Sequence, residues 1–182
     1  MRTAAASSLA AAGLLFSLAA CSAPATQPAA SEPASTPAAS SSAATSADAP
    51  CDGVKVIVDS GALKQEAADT NVCVLVDEPT VAAEILEEAD VETEGTTEYP
   101  NELVCRVNGV PAADFDITHK GGTYREECGK MPAAFAYWAL WVKPATGDWA
   151  YAQEGLATLK VSPGESLELL FTVDGEPAAP AA

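Results

Sequence analysis

Apolar and polar residues alternate in several short stretches of the second half of the chain. Stretches 54–59 and 72–77 each place valines on one face, which is typical of half-buried strands, and the segment between them predicts a hairpin connection. A further strand over 103–107 stops at the turn signal Asn108-Gly109. A turn at 162–165 precedes a last alternating strand with apolar residues at Leu167, Leu169, Phe171 and Val173.

Residues 80–90 have the period of a helix instead. One stripe of this segment is apolar and the opposite face carries Glu84, Glu87 and Glu88. Thr80 stands where a helix N-cap is expected. The apolar stripe consists of Val81, Ala82, Ile85, Leu86 and Ala89.

The most apolar run of the domain, residues 134–142, predicts a strand with two apolar faces. Phe135, Tyr137 and Trp141 fall on one face, and Trp138, Leu140 and Val142 on the other. A return strand begins at Trp149. Aromatic residues supply rigid contact area in binding sites, so the hairpin is the candidate ligand-binding region, with candidate residues Tyr137, Trp138, Trp141, Trp149 and Tyr151.

These elements predict an α+β domain in which one helix packs on a mostly antiparallel sheet of five to six strands. The segment 111–131 carries polar and glycine-rich residues and is expected to be a loop. We place the domain at residues 51–175 and expect a disordered tail over 176–182.

The N-terminal segment has the layout of a secretory signal. Arg2 precedes a short apolar stretch, which ends in the small-residue sequence Leu18-Ala19-Ala20-Cys21. This sequence resembles the lipobox of bacterial lipoproteins, in which the cysteine receives diacylglycerol and the signal is cut just before it. The resemblance implies a signal peptide over 1–20, lipidation at Cys21 and an exported protein anchored on the outer face of the cell membrane.

Residues 21–50 are the lipidated N-terminus and a linker of Ala, Ser, Pro and Thr. This composition offers too little apolar surface to order a chain, so we expect disorder. Removal of residues 1–20 takes away one arginine and changes the formal net charge from −17 to −18. Such a charge argues against nucleic acid as a partner.

Four cysteines remain after Cys21, namely Cys51, Cys73, Cys105 and Cys128. In a small exported domain they favour two disulfides, for which three connectivities are open. We prefer Cys51 with Cys73 and Cys105 with Cys128, because the faces of the predicted strands are compatible with the first pair. No Cys-x-x-Cys pair is present and His119 is the only histidine, so we expect no metal.

The order of these motifs resembles the transcobalamin-like C-terminal domain, a family of largely unknown function. The resemblance covers about residues 53–173. The matching motifs include Val-Cys-Arg-Val-Asn-Gly at 104–109, and the resemblance rests mainly on Tyr-Trp-Ala-Leu-Trp at 137–141 and the later glycine turns near Gly147 and Gly164. In vitamin-carrying members, cobalamin lies between this domain and a large helical barrel. This chain has no such barrel, so we expect no cofactor.

Motifs for phosphate cradles, serine hydrolases and zinc proteases are absent from the sequence, so we expect a protein that is not an enzyme. We predict a binding or interaction module of the cell envelope whose ligand is a small molecule, a glycan or a protein. Two alternatives stay open: a protease inhibitor that presents residues 117–127 as a rigid loop, and an architectural surface protein without a ligand.

Overall fold

A computed structural model describes residues 50–181. Cys21, the signal and most of the linker therefore lie outside the described residues. Within 50–181, one α-helix accompanies eleven strands. The strands are β1 Val54–Asp59, β2 Thr70–Val74, β3 Thr80–Val81, β4 Thr93–Gly95, β5 Val104–Val107, β6 Ile117–His119, β7 Gly122–Tyr124, β8 Ala136–Lys143, β9 Ala150–Tyr151, β10 Lys160–Val161 and β11 Ser166–Val173, and the helix is α1 Ala82–Glu88.

Five strands form the main sheet in the order β2-β1-β11-β8-β9. All neighbours are antiparallel except β1 and β11, which run parallel. Three two-stranded ribbons accompany the main sheet: β3 with β10, β4 with β5 and β6 with β7. The predicted α+β class, with one helix and a mostly antiparallel sheet, is confirmed.

The principal core lies on the inner face of this sheet. Opposite residues in the register share a face, so Val56, Leu167 and Val142 form one apolar row, and Val58, Leu169 and Leu140 form the next. Helix α1 and the ribbons cover these rows. The buried residues that they contribute are Ala82, Ile85 and Leu86 of α1, Val107 of β5, Ile117 of β6 and Val161 of β10.

The start of the helix differs from the prediction. Thr80 is not the N-cap, because Thr80 and Val81 pair with β10 and the cap position falls on Val81. The first backbone N–H groups of the helix are satisfied from a distant loop: Ala82 donates to the carbonyl of Leu159 at 2.8 Å, and Ala83 donates to that of Leu156 at 3.1 Å. A tertiary contact replaces the side-chain cap.

The predicted loop 111–131 also needs correction. Ile117–His119 and Gly122–Tyr124 pair as a β-hairpin. Each strand has three residues and lies close to glycine, so the sequence shows no strand pattern there. Strand β2 ends at Val74, short of the predicted residue 77, because its partner β1 begins at the opposite residue, Val54.

Residues 174–181, which include most of the tail predicted over 176–182, make several contacts with the sheet. Asp174 and Gly175 turn the chain back with positive φ angles of 53° and 83°. The N–H of Asp174 donates to the carbonyl of Phe135 at 2.7 Å. Pro180 is buried near the end of this segment.

Two disulfides join Cys51 to Cys73 and Cys105 to Cys128, which is the preferred pairing. Structural disulfides in a small domain indicate an oxidising, extracellular environment. No helix within residues 50–181 has the length and apolar character needed to cross a membrane.

Burial in the core predicts a large difference between two identical substitutions. Leu167 is 0% exposed and Leu75 is 77% exposed. We expect Leu167→Ala to lower the free energy of unfolding by about 2–5 kcal/mol, because it removes buried methyl groups and leaves a cavity. Leu75→Ala is the matched control, with an expected change within about 0.5 kcal/mol. Urea denaturation of both variants measures the difference, and equal effects would contradict the assigned core.

Candidate functional site

The five candidate aromatic residues do not form one surface. Trp138 points to the inner face, where its ring contacts Phe171 edge-on at 5.2 Å and its indole N–H donates to the carbonyl of Val110 at 3.1 Å. It is a core residue whose polar group has a partner. The other four lie on or beside the outer face of the sheet, and we call them the outer aromatic cluster: Tyr137, Trp141, Trp149 and Tyr151.

The outer aromatic cluster is held by contacts among its own members. The rings of Trp141 and Tyr151 stack at 3.9 Å, across the register that pairs these two residues. Trp149 packs with the buried group of Ala139, Trp141 and Leu170. A hydrogen bond with Tyr137, together with partial burial, raises the pKa of Tyr151. At 47% exposure, Tyr151 is the member most open to solvent.

A cavity of about 480 Å³ lies beside the first half of β8. Strand β9 pairs only with Trp141 and Val142, so it leaves this part of the β8 edge uncovered. Three other segments of the chain form the walls of the cavity, and side chains of β8 and β11 form its floor. The lining residues are Glu102, Leu103, Val104, Met131, Pro132, Ala133, Ala134, Tyr137, Trp138, Leu140, Glu154, Gly155, Leu156 and Leu169.

The chemistry of this cavity is apolar with an acidic component. Glu102 and Glu154 are its only charged lining residues, and both are acidic. A cavity of this size and character accommodates a small molecule, and the carboxylates favour a neutral or cationic group over an anion. Among the lining residues, Tyr137 and Trp138 are candidates that the sequence predicts. The segments 102–104, 131–134 and 154–156 are not, and the exposed apolar Met131 is their only local signal.

Two of these segments flank the second disulfide. Residues 102–104 immediately precede Cys105, and residues 131–134 follow Cys128 by a short step. Arg106 reinforces the region: its guanidinium donates to the carbonyl of Glu126 at 2.8 Å and to the Glu94 carboxylate at 2.9 Å. The disulfide and the arginine thus hold two walls of the cavity together.

Cys105, Glu126 and Cys128 are close enough together to suggest a metal site. The two sulfur atoms, however, are bonded to each other. The Glu126 carboxylate accepts hydrogen bonds of 2.8 Å from the hydroxyl of Tyr124 and from the N–H of Cys128. Its oxygens are therefore already used, and the cluster is structural.

His119 has a structural environment as well. Its ring stacks on Phe135 at 4.0 Å, and its Nδ1 accepts a hydrogen bond of 3.1 Å from the N–H of Gly121. The segment proposed as an inhibitory loop, 117–127, begins with the β6–β7 hairpin. These residues pair with each other around a tight turn, and the inhibitor alternative stays a prediction.

Comparisons with protein-family models, with curated proteins and with solved structures give no match to this chain. The resemblances to the lipobox and to the transcobalamin-like domain therefore stay predictions from the sequence.

Glu168 is a buried carboxyl at the centre of the outer face. It lies in β11 between Ile57 and Trp141 and is 3% exposed. Burial and, to a smaller extent, the nearby Asp59 carboxylate raise its pKa to about 7 against the opposing effect of Lys55. The domain therefore carries a carboxyl that changes charge near neutral pH.

This raised pKa predicts a loss of stability as the pH increases. Below about pH 4.5, Glu168 is protonated in both the folded and the unfolded chain. Between about 4.5 and 7 the unfolded chain releases the proton first, so the free energy of unfolding falls as the pH rises through this range. We expect Glu168→Gln to remove about 2–3 kcal/mol of the decrease between pH 5 and pH 8.

Denaturation at several pH values measures this effect. Glu154→Gln is the control, because it removes the same charge from an exposed position and should leave the pH dependence close to that of the unchanged chain. A Glu168→Gln variant with the original pH dependence would refute the assignment.

Proposed function

We propose that this protein is a membrane-anchored, non-enzymatic binding module of the cell envelope, and that it binds a small, largely apolar molecule in the cavity beside β8. The cavity is the observation that carries the proposal. Its volume of about 480 Å³, bounded by Leu103, Trp138 and Leu156, lies in the range of small-molecule sites.

The cavity lining also supports binding over catalysis. Within the described residues, its titratable side chains are two glutamates and a tyrosine, and it lacks a histidine, serine or cysteine. No pair of a nucleophile and a base is therefore assembled there. Walls that are largely aliphatic and aromatic retain a ligand by burial of its apolar surface.

The location in the envelope follows from the N-terminal prediction together with the disulfides. A lipid at Cys21 and the linker to residue 50 would hold the domain near the membrane while its acidic surface stays in solvent. The two disulfides support the extracellular side of this proposal.

Filling the cavity tests the binding site. N-phenyl-1-naphthylamine is a neutral apolar fluorophore, and we expect its emission to rise when it enters the cavity of the full chain. Ala134 is exposed and lines the cavity, so a large ring there occupies ligand space. We expect Ala134→Trp to weaken fluorophore binding by about tenfold, equivalent to about 1.4 kcal/mol.

Ala113→Trp is the matched control, because Ala113 is exposed and does not line the cavity. Its affinity for the fluorophore should equal that of the unchanged chain. If both tryptophan variants bind equally well, or if the unchanged chain does not bind, the cavity is not the site.

Cys21→Ser tests the anchor separately. A serine cannot form the thioether to diacylglycerol, so we expect the variant to appear in the soluble fraction of cells, whereas the unchanged chain sediments with membranes. Metabolic labelling with a fatty acid provides the second readout. Equal labelling and equal membrane association of the two chains would refute lipidation at Cys21.

A further inference from the structure

The C-terminal segment, residues 174–181, returns across the outer face of the main sheet. Beyond the turn at Asp174, the carbonyl of Pro177 accepts a hydrogen bond of 3.4 Å from the Thr172 hydroxyl of β11. Four residues later, the carbonyl of Ala181 accepts one of 3.1 Å from the indole N–H of Trp149, beside β9. The chain between these points therefore passes over β8.

The burial pattern agrees with this path. Pro180 is buried, whereas Ala178 and Ala179 are exposed. Thr172 pairs with Tyr137, and Trp149 lies beyond the Trp141–Tyr151 pair, so the segment also advances along the strands as it crosses them.

The segment has no means of ordering itself. Its sequence from Glu176, Glu-Pro-Ala-Ala-Pro-Ala, contains no large apolar side chain, and it forms neither a helix nor an extended ladder. Its order beyond the turn therefore comes from the surface below it. Aromatic grooves bind proline-rich chains because proline loses little conformational entropy and offers a flat apolar ring.

The polar groups of the surface suit the same kind of ligand. Proline-rich chains carry exposed carbonyl oxygens, and Trp149 already donates its N–H to one of them. The N–H of Trp141 is buried on the same face and has no acceptor among the described residues. A buried donor without a partner is costly, and a second backbone carbonyl would satisfy it.

We infer that the outer aromatic cluster is a recognition site for proline- and alanine-rich peptide segments of another protein, and that the C-terminal segment occupies this site as an internal competitor. The ligand class is a short chain with two prolines three residues apart, as in Pro177-Ala178-Ala179-Pro180. This site binds a different class of ligand from the cavity beside β8. The inference does not depend on the function proposed for that cavity.

Removal of the competitor tests the inference. The probe is a synthetic peptide with the sequence of residues 174–182, titrated into the full chain and into the same chain ending at Gly175. We expect the shortened chain to bind the peptide about tenfold more tightly or better, because the tethered segment competes at a high effective concentration. Tryptophan emission reports binding, since Trp141 and Trp149 lie in the site.

A second peptide with alanine in place of both prolines is the specificity control. We expect it to bind the shortened chain at least about tenfold more weakly, a difference of about 1.4 kcal/mol. If the shortened chain does not bind the first peptide, or binds the two peptides with equal affinity, the inference is wrong. A dimer that forms with rising concentration of the full chain would show exchange of the segment between copies and would also overturn it.

A full-length variant covers the case in which the shortened chain does not fold. The double variant Pro177→Ala/Pro180→Ala keeps the full length of the C-terminal segment and removes only its two proline rings. We expect this double variant to bind the first peptide more tightly than the unchanged chain does, whereas Ala178→Ser, at an exposed position between the prolines, should not. No gain in the double variant would refute the internal competitor.

Discussion

The burial of β11 on both faces is the constraint on which the rest of the structure depends. Seven of its eight residues are buried, and it lies between β1 and β8 in the main sheet. A strand in this position needs cover on two sides. On the inner face, Leu167, Leu169 and Phe171 pack in the principal core. On the outer face, Leu170 is buried by packing against Ala139, Trp141 and their neighbours.

The outer cover brings two unusual features with it. Glu168 follows the same alternation that buries Leu170, so a carboxyl enters an environment that raises its pKa to about 7. Thr172, further along the same face, is also buried and donates a hydrogen bond to the C-terminal segment. An outer face made only of aliphatic residues would carry neither the ionisable group nor the polar contact, so both point to a surface that is not merely a second core.

The sequence predicts the main sheet well because its strands alternate strongly. The valines of β1 and β2 together with Leu167 and Leu169 of β11 mark the inner face, and the two apolar faces of β8 mark a central position. The short elements have no comparable pattern. Strand β3 consists of two residues that helical periodicity assigns to α1, and the β6–β7 hairpin has three residues on each side. Strands this short are defined by their partners, which a single sequence does not reveal.

The candidate site shows the same limit for a different reason. Alternation along β8 places Trp138 in the core and Trp141 on the outer face, as the sequence predicts, so the aromatic residues of one hairpin do not form one surface. The cavity is assembled from three segments that are distant in sequence, and its opening depends on how short β9 is. Neither property has a local sequence pattern. The C-terminal segment is similar, because its order depends on contacts with Trp149 and Thr172.

The second disulfide connects the architecture to the cavity. It links two cysteines that are 23 residues apart in sequence. Cys105 directly follows the wall segment 102–104, and Cys128 shortly precedes the wall segment 131–134. Backbone hydrogen bonds from Thr97 to the carbonyl of Cys128, 2.7 Å, and from Glu98 to that of Gly129, 3.1 Å, extend the same junction. The third wall meets the first at Gly155, where a Cβ would be in van der Waals contact with the carbonyl oxygen of Glu102, 3.4 Å away. A disulfide stabilises the arrangement of the segments that it joins, so the oxidised Cys105–Cys128 pair supports the shape of the cavity. A binding function for this cavity is thus coupled to the extracellular environment in which that disulfide persists.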